Sequence, residues 1–368
     1  MKPLILVTGG RGGSDFFQGL LDDHDQILQI PGILRINSEF INIFNSKNND
    51  EISKKFINFV PLIFDSRKNK LERHDKLGKN KNEYYVVSKK KFKHYFNKLN
   101  NFENKNFFQS LINLYKAYYL ARKKKINKLK LILLHTHTIN YTNQLLKLKQ
   151  IKNCCIIHTM RNPIDALLSP IYNWLKFKNG KFFFPRDLYF QIDLALNGLS
   201  DLCEMDKKVF IIQLENLIFN KKRVMKDFCK IFKIKYSNKL LNCTYFGKQW
   251  WGDQISGRWL GKKVVNKTNN YRKDYIFSKS DFDYFSNLTK RINSNYFENH
   301  DKIKDDDIHF KLMPTKAEIL TWKNTIKHKK FLHIISIPYF YLKRIFIING
   351  LFINNKRFNF PYSIGSKK

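Results

Sequence analysis

A glycine-rich turn that carries one arginine stands near the start of the chain, where residues 4–24 read LILVTGGRGGSDFFQGLLDDH. An apolar strand enters this turn and a helix leaves it, so backbone N–H groups and a helix N-terminus converge there. Arg11 adds a positive charge, and Ser14 can cap the helix or offer a hydroxyl to a phosphate. The glycines that allow the tight bend are Gly9, Gly10, Gly12 and Gly13. The turn therefore predicts an anion cradle, and hence a site for a nucleotide.

The same turn has a second interpretation, because strand–glycine–helix connections are common in α/β proteins and most of them bind nothing. It also differs from the phosphate loop of ATPases and GTPases, which needs a lysine directly before the Ser or Thr. Gly13 stands directly before Ser14 instead. The sequence therefore disfavours an ATPase or a GTPase.

A second candidate anion site follows a later apolar run, where residues 161–169 read RNPIDALLS. The guanidinium of Arg161 is a planar fork suited to phosphate, and the hydroxyl of Ser169 can complete such a site. The alternative is that Arg161 only pairs with Asp165.

Taken together, the Arg-Gly-Gly-Ser turn and the later R-N-P-x-D-x-x-x-S segment resemble the sulfotransferases that use 3′-phosphoadenosine 5′-phosphosulfate (PAPS). The resemblance covers residues 1–235, and FIIQLENL at 210–217 looks like a later strand of that family. It implies a P-loop-like fold, PAPS as co-substrate and transfer of a sulfuryl group to a hydroxyl. The implied ligands of PAPS are Arg11, Gly12, Gly13, Ser14 and Asp15 at the 5′ end, and Arg161 and Ser169 at the 3′-phosphate.

Two residues depart from the family pattern. Asp15 stands where the family usually has Thr, and its carboxylate is unfavourable beside phosphates unless it turns away or pairs with Arg11. Many members carry Lys in the place of Arg11. Arginine keeps the charge that stabilises a leaving phosphate, but it does not donate a proton.

The resemblance also implies a catalytic base in HTHT at 135–138, where cytosolic members carry Lys-Thr-His. His137 matches the base, and His135 replaces the Lys and is the rival candidate. A neutral imidazole can accept the proton of an acceptor hydroxyl near pH 7. The alternative is that both histidines only satisfy hydrogen bonds at a buried strand end. If the strand ends at His135, the two side chains point to different sides.

Four short apolar runs predict the strands that position these residues, at Leu4–Thr8, Lys128–Thr136, Cys154–Met160 and Val209–Leu214. Helices are expected between and after them, over Ser14–Asp23, Tyr141–Lys149, Asp165–Trp174 and Lys221–Phe232. This alternation predicts an α/β class, a three-layer fold with a central parallel sheet and helical insertions. Ligands of such sheets bind at the carboxyl ends of the strands.

The chain divides into a sulfotransferase-like domain over 1–310 and a C-terminal extension over 311–368. A core-packing helix with a capping box is expected over Ser278–Phe297. Residues 331–353 mix aromatic, aliphatic and basic side chains. We expect this segment to pack on its own domain, and a membrane surface is the alternative.

The composition is strongly basic, with a formal net charge of +38 over 368 residues. Such a charge suits an anionic partner, and an anion- or nucleic-acid-binding protein without catalysis is the rival class, beside another nucleotide-dependent transferase. The high content of Lys, Asn, Ile and Phe is also typical of an AT-rich coding sequence, which would explain the positive charge without any partner. We therefore expect no nucleic-acid partner. The acceptor is expected to be a small molecule or glycan, preferably a sugar hydroxyl on a glycan or glycolipid.

The five cysteines show no C-x-x-C spacing, so we expect reduced thiols and neither a disulfide framework nor a zinc site. No motif requires a metal. The N-terminus runs directly into the first strand, and no apolar run is long enough to span a bilayer. These features predict a cytoplasmic protein, with a peripheral membrane contact as the alternative for 331–353.

Overall fold

A six-stranded parallel sheet forms the centre of the computed structural model, in the order β2-β3-β1-β4-β5-β8. A separate antiparallel pair is formed by β6 and β7. The strands are β1 Lys2–Thr8, β2 Ile27–Leu28, β3 Leu131–His137, β4 Cys155–Met160, β5 Lys208–Gln213, β6 Thr244–Tyr245, β7 Lys248–Gln249 and β8 Tyr362–Ser363. The structure describes residues 1–8, 11–46, 48–100, 106–148, 151, 153–255, 274–297, 312–353 and 361–365.

Helices connect these strands and cover the sheet. They are α1 Ser14–Leu20, α2 Ser38–Ile43, α3 Asn49–Phe59, α4 Pro61–Phe64, α5 Lys89–Leu99, α6 Phe107–Ala121, α7 Ile139–Lys147, α8 Pro163–Lys176, α9 Pro185–Cys203, α10 Leu214–Phe219, α11 Lys221–Phe232, α12 Lys279–Tyr296, α13 Lys316–Lys327, α14 Phe331–Ile335 and α15 Ile337–Ile353. Short 3₁₀ turns lie at Ser66–Lys68, Phe177–Gly180 and Asn238–Leu241. The insertion between β2 and β3 carries α2 to α6.

Both faces of the sheet are buried, as the continuous apolar runs of its strands require. Leu4 and Leu6 of β1 pack in one core cluster with Phe17 of α1 and helix α11. Their neighbours Ile5 and Val7 pack in a second cluster with the helices of the insertion. The expected α/β class with a parallel central sheet flanked by helices is confirmed, and the arrangement is compatible with three layers.

The C-terminal part of the chain contacts the rest of the protein through several elements. A third core cluster joins α8, α9, α12 and the first turn of α13. Strand β8 pairs with β5 at the edge of the central sheet. The predicted capping box of α12 is present, because Asp281 accepts from the Ser278 N–H at 2.8 Å and its own N–H donates to the Ser278 hydroxyl at 3.1 Å.

All five cysteines are free thiols. Among the described residues, none of the helices has the length and apolar character needed to cross a membrane.

Candidate functional site

The glycine turn joins β1 to α1 through residues in left-handed backbone conformations. Arg11 has φ 42° and Gly13, which precedes the first residue of α1, has φ 89°. A left-handed residue at this point turns the chain sharply, and glycine adopts it without steric strain. Gly9 and Gly10, also expected in the cradle, lie outside the described residues.

Close contacts fix this turn against the neighbouring strands. The Thr8 hydroxyl accepts from the Gly12 N–H at 3.0 Å and donates to the carbonyl of Thr159 in β4 at 3.3 Å. A Cβ on Gly12 would lie 2.4 Å from that same carbonyl, and one on Gly13 would lie 2.5 Å from Leu214 Cδ1. The sequence therefore needs glycine here because a side chain would push the turn off the sheet.

Gly12→Ala should destabilise the protein by roughly 1–3 kcal/mol, the usual cost of overpacking against a rigid neighbour. The clash partner is a backbone carbonyl, which cannot move without disturbing β4. Gly198→Ala is the control, because its Cβ meets only the ends of Leu194 and Ile139 at 3.0 and 3.3 Å. Urea unfolding of both variants measures the difference, and equal stabilities would contradict the close packing of the turn.

Strand β3 continues to His137 and the two imidazoles lie close together, which corrects the expectation that they point to different sides of a strand ending at His135. The strand continues to His137 with an irregularity, where His135 pairs with Leu6 and His137 pairs with the next residue, Val7. His137 has φ 65°, and the centroids of the two imidazoles are 5.5 Å apart. The expectation of different sides rested on a strand end at His135, and that end is not found.

His135 is held within the protein. Its Nδ1 lies 3.2 Å from the Gln18 Oε1, while the Gln18 Nε2 donates to the carbonyl of Ile30 at 2.8 Å. Because the amide oxygen can only accept, Nδ1 of His135 carries the proton, and its Nε2 is buried without a hydrogen-bond partner. Burial first, and His137 second, lower the pKa of His135 well below its ordinary value. The side chain is 1% exposed, so an acceptor hydroxyl has little access to it.

His137 is half-buried and contacts the glycine turn. Its Nδ1 lies 3.3 Å from the hydroxyl of Ser14, the first residue of α1. Burial lowers the pKa of His137, and the nearby Asp15 opposes that shift. The imidazole is therefore neutral at pH 7, as a base must be.

Arg11 pairs with a residue that no motif identified. Its Nη2 donates to Oδ1 and Oδ2 of Asp253 at 3.2 and 2.9 Å. Asp253 belongs to the sequence WWGD, in which the indoles of Trp250 and Trp251 donate to the carbonyls of Glu72 and Gly78. Nothing in the spacing connects this segment with a turn 242 residues earlier in the chain.

Three carboxyl groups lie together near Arg11: Asp15, Glu72 and Asp253. Burial is the largest cause of the raised pKa of Asp15 and of the strongly raised pKa of Glu72, and each is raised further by Asp253. A carboxyl with a raised pKa carries less negative charge at a given pH, which lowers its repulsion of a bound phosphate. The Oδ1 of Asp15 lies 3.9 Å from Nδ1 of the neutral His135, while Arg11 donates to Asp253.

One ligand atom each from Asp15, His135 and His137 lie within 4.8 Å of one another. Two imidazole nitrogens and a carboxylate oxygen are donors that Zn²⁺ and other divalent transition metals accept. These are the residues of the described chain that could hold a metal, although no sequence motif asks for one.

Arg161 and Ser169 lie beyond the carboxyl end of β4, next to β1 in the sheet. Nη2 of Arg161 is 3.3 Å from Asp165 Oδ2, the pair that the alternative interpretation expected. The buried Ser169 hydroxyl accepts from Asn173 Nδ2 at 3.3 Å. The backbone N–H of Asn162, between Arg161 and α8, donates to Glu215 Oε1 at 3.1 Å. This hydrogen bond connects the turn to the first turn of α10, directly after β5.

The strand order brings these residues to one edge of the sheet. Strands β3, β1 and β4 are neighbours, and Thr8 pairs with Thr159 just before the turns that carry Arg11 and Arg161. The histidines end the strand on the other side of β1. Arg11 and the Ser14 hydroxyl thus follow β1, Arg161 follows β4, and the neutral imidazole of His137 ends β3. This arrangement at one sheet edge suits an anionic ligand with two charged ends.

The sequence matches no protein-family model and no curated protein.

Proposed function

We propose that the chain is a sulfotransferase with a P-loop-like fold that moves the sulfuryl group of PAPS to an acceptor hydroxyl. The observation that carries this proposal is the placement of the glycine turn, His137 and Arg161 after three adjacent parallel strands. In the family that the sequence resembles, the same three places bind the 5′-phosphosulfate, supply the base and bind the 3′-phosphate.

In the proposed reaction, the acceptor oxygen attacks sulfur in line with the bond to the phosphate of PAPS. The new O–S bond forms while that S–O bond breaks, and 3′-phosphoadenosine 5′-phosphate leaves with the bonding electron pair. His137 accepts the proton of the acceptor hydroxyl. Arg11 and the backbone N–H groups of residues 13–15 stabilise the charge that develops on the leaving phosphate. The N–H of Gly12, which the sequence placed among these donors, is taken by the Thr8 hydroxyl.

Both candidate phosphate-binding arginines contact a carboxylate, Arg11 with Asp253 and Arg161 with Asp165. A phosphate offers the same bidentate partner with more charge. We infer that binding of PAPS replaces the carboxylates as partners of these guanidinium groups. Each carboxylate then keeps an arginine in place when the nucleotide is absent.

The proposed acceptor is a sugar hydroxyl on a glycan or glycolipid, bound between residues 45–105 and 245–275. Within these ranges, 47, 101–105 and 256–273 lie outside the described residues. Trp250 is buried and its ring packs on Tyr245 at 5.4 Å, so it belongs to the core. Trp251 is half-buried under the Lys81 ammonium, and of the two described tryptophans in this segment it is the one proposed to stack on a sugar.

The direct test is a thermal shift with three nucleotides and no acceptor. We expect 3′-phosphoadenosine 5′-phosphate to raise the melting temperature, and ATP and adenosine 5′-phosphate to have little effect. Equal shifts with all three would favour the rival class, a basic protein that binds anions without selection. Transfer of radiolabelled sulfate from PAPS to a panel of glycans and glycolipids then tests catalysis, and the proposed chemistry predicts that a chelator leaves it unchanged.

Arg161→Ala should remove most of the preference for 3′-phosphoadenosine 5′-phosphate over adenosine 5′-phosphate. A hydrogen bond to a charged group contributes roughly 1.5–3 kcal/mol, so calorimetry should show a loss of about 10- to 150-fold for the first nucleotide only. Asp165→Asn is the control, since it removes the competing carboxylate and keeps the guanidinium of Arg161. If the wild type binds both nucleotides equally, the assignment of the 3′-phosphate site is wrong.

A further inference from the structure

Exposed large apolar side chains are concentrated near the end of the chain, and half of those in the described residues lie between Leu312 and Phe346. Six of them lie along α14 and α15. We call these six the docking face: Phe331, Leu332, Ile335, Tyr339, Leu342 and Phe346. Their exposed fractions run from 51% to 80%. From Leu332 onward their spacing alternates between three and four residues, so they form one continuous stripe on a helical surface.

The opposite side of the same two helices packs on the protein. His333 stacks on Phe184 with ring centroids 4.1 Å apart, and Phe340 contacts Tyr189 at 5.7 Å. The guanidinium of Arg344, 1% exposed, forms hydrogen bonds of 3.0 and 3.1 Å with the Glu318 carboxylate. These contacts fix the orientation of α14 and α15. The docking face therefore points away from the protein.

The surroundings of the docking face are basic. Between residues 312 and 346 the sequence contains a single acidic residue, Glu318, whose carboxylate is taken by Arg344. Exposed lysines lie on the preceding helix α13, in the turn between α13 and α14, and on α15: Lys316, Lys323, Lys327, Lys329, Lys330 and Lys343. A helical stripe of Phe, Leu, Ile and Tyr beside lysines is the pattern of helices that lie in the interface of a lipid bilayer.

We propose that the docking face binds the surface of a membrane that contains anionic phospholipid. The apolar stripe enters the boundary between headgroups and acyl chains, and the lysines contact the phosphates and carboxylates of the headgroups. An anionic bilayer fits the charge of the segment, and also the net charge of +38 of the whole chain. The proposed contact is peripheral, with the two helices lying along the membrane surface. Such binding is independent of sulfuryl transfer, and it would give the enzyme access to acceptors carried on lipids.

The test is sedimentation of the full chain with vesicles of phosphatidylcholine, with and without phosphatidylserine. We expect binding to the vesicles with phosphatidylserine, and much less to phosphatidylcholine alone. The double variant Leu332→Gln and Phe346→Gln keeps the net charge and should weaken binding by at least about tenfold, since burial of each side chain contributes apolar transfer free energy. Its melting temperature and its shift with 3′-phosphoadenosine 5′-phosphate should stay as in the wild type.

The matched control is Phe219→Gln, which replaces a phenylalanine of the same exposure, 68% against 69% for Phe346, in α10 beside the lysines of α11. This control should bind vesicles like the wild type. Wild-type binding by the double variant would overturn the proposal, because charge alone would then explain the affinity. A dimer in light scattering that the double variant converts to monomer would also overturn it, since a second copy of the chain would then cover the face.

Discussion

Replacing His137 with alanine should lower turnover by roughly 10²–10⁴-fold, the usual range for loss of a general base. The imidazole lies at the end of β3 beside the hydroxyl of Ser14, and its lowered pKa keeps it neutral and able to accept a proton. Binding of 3′-phosphoadenosine 5′-phosphate should change little, because the proposed phosphate ligands belong to other strands. Radiolabelled sulfate transfer and calorimetry on the same variant measure the two effects.

His135→Ala separates the two histidines. His135 is enclosed and donates to Gln18, so its removal should mainly lower stability and reduce turnover less than His137→Ala does. A His135 variant without activity beside an active His137 variant would assign the base to His135. The thermal stability of both variants shows whether a loss of turnover comes from unfolding.

The pH dependence of turnover gives an independent measurement of the base. A histidine must lose its proton to act, so turnover should rise with pH through the pKa of His137 and stay level above it. Because burial lowers that pKa from 6.5, the rise should lie below pH 6.5. A midpoint above pH 7 in the kcat profile would contradict the enclosed, neutral state of this side chain.

Arg11→Ala should reduce turnover by about 10²–10³-fold, as loss of one group that stabilises developing charge does in other enzymes. Affinity for 3′-phosphoadenosine 5′-phosphate should fall less, since the backbone of the turn and Arg161 still bind the two phosphates. The reason is that the charge on the leaving phosphate is greatest in the transition state. If affinity collapses and turnover at saturation survives, Arg11 only binds the nucleotide.

Asp253→Asn is the matched control for this variant. It weakens the contact with the Arg11 guanidinium at 2.9 Å but keeps the guanidinium itself. We expect turnover to be retained and nucleotide affinity to be unchanged or higher, because the carboxylate no longer competes with the phosphate. An Asp253→Asn enzyme as inactive as Arg11→Ala would show that the ion pair itself is needed for the reaction.

The sequence predicts the part of the fold that local patterns determine. The strands around the site are found within three residues of their expected starts, and α11 has the expected bounds Lys221–Phe232. Short apolar runs between polar turns identify buried parallel strands because both sheet faces are covered. The two-residue strands β2 and β8 were missed, since a pattern of two residues has no periodicity. Helix α9 was also missed, although Pro185 starts it and 19 residues form it.

The sequence predicts only those residues of the candidate site that follow a strand with a clear local pattern. Arg11, His137 and Arg161 follow predicted strands, so their common edge can be inferred from the sequence. Asp253 and Glu72 reach Arg11 from segments far away in the chain, and only tertiary packing brings them there. The irregular register at Leu6 and Val7 likewise depends on the pairing of two strands, and no local pattern in the sequence announces it.

The pairing of β8 with β5 has a consequence for how the chain folds during its synthesis. Strands β1 to β5 are complete once residue 213 has emerged, yet the outer edge of β5 waits for Tyr362 and Ser363. Until then β5 presents unpaired N–H and C=O groups, the feature by which edge strands associate with other chains. Pairing over such a sequence separation is also slow. The nascent chain therefore has an interval in which aggregation competes with folding, and that interval ends only when its last described strand joins the sheet.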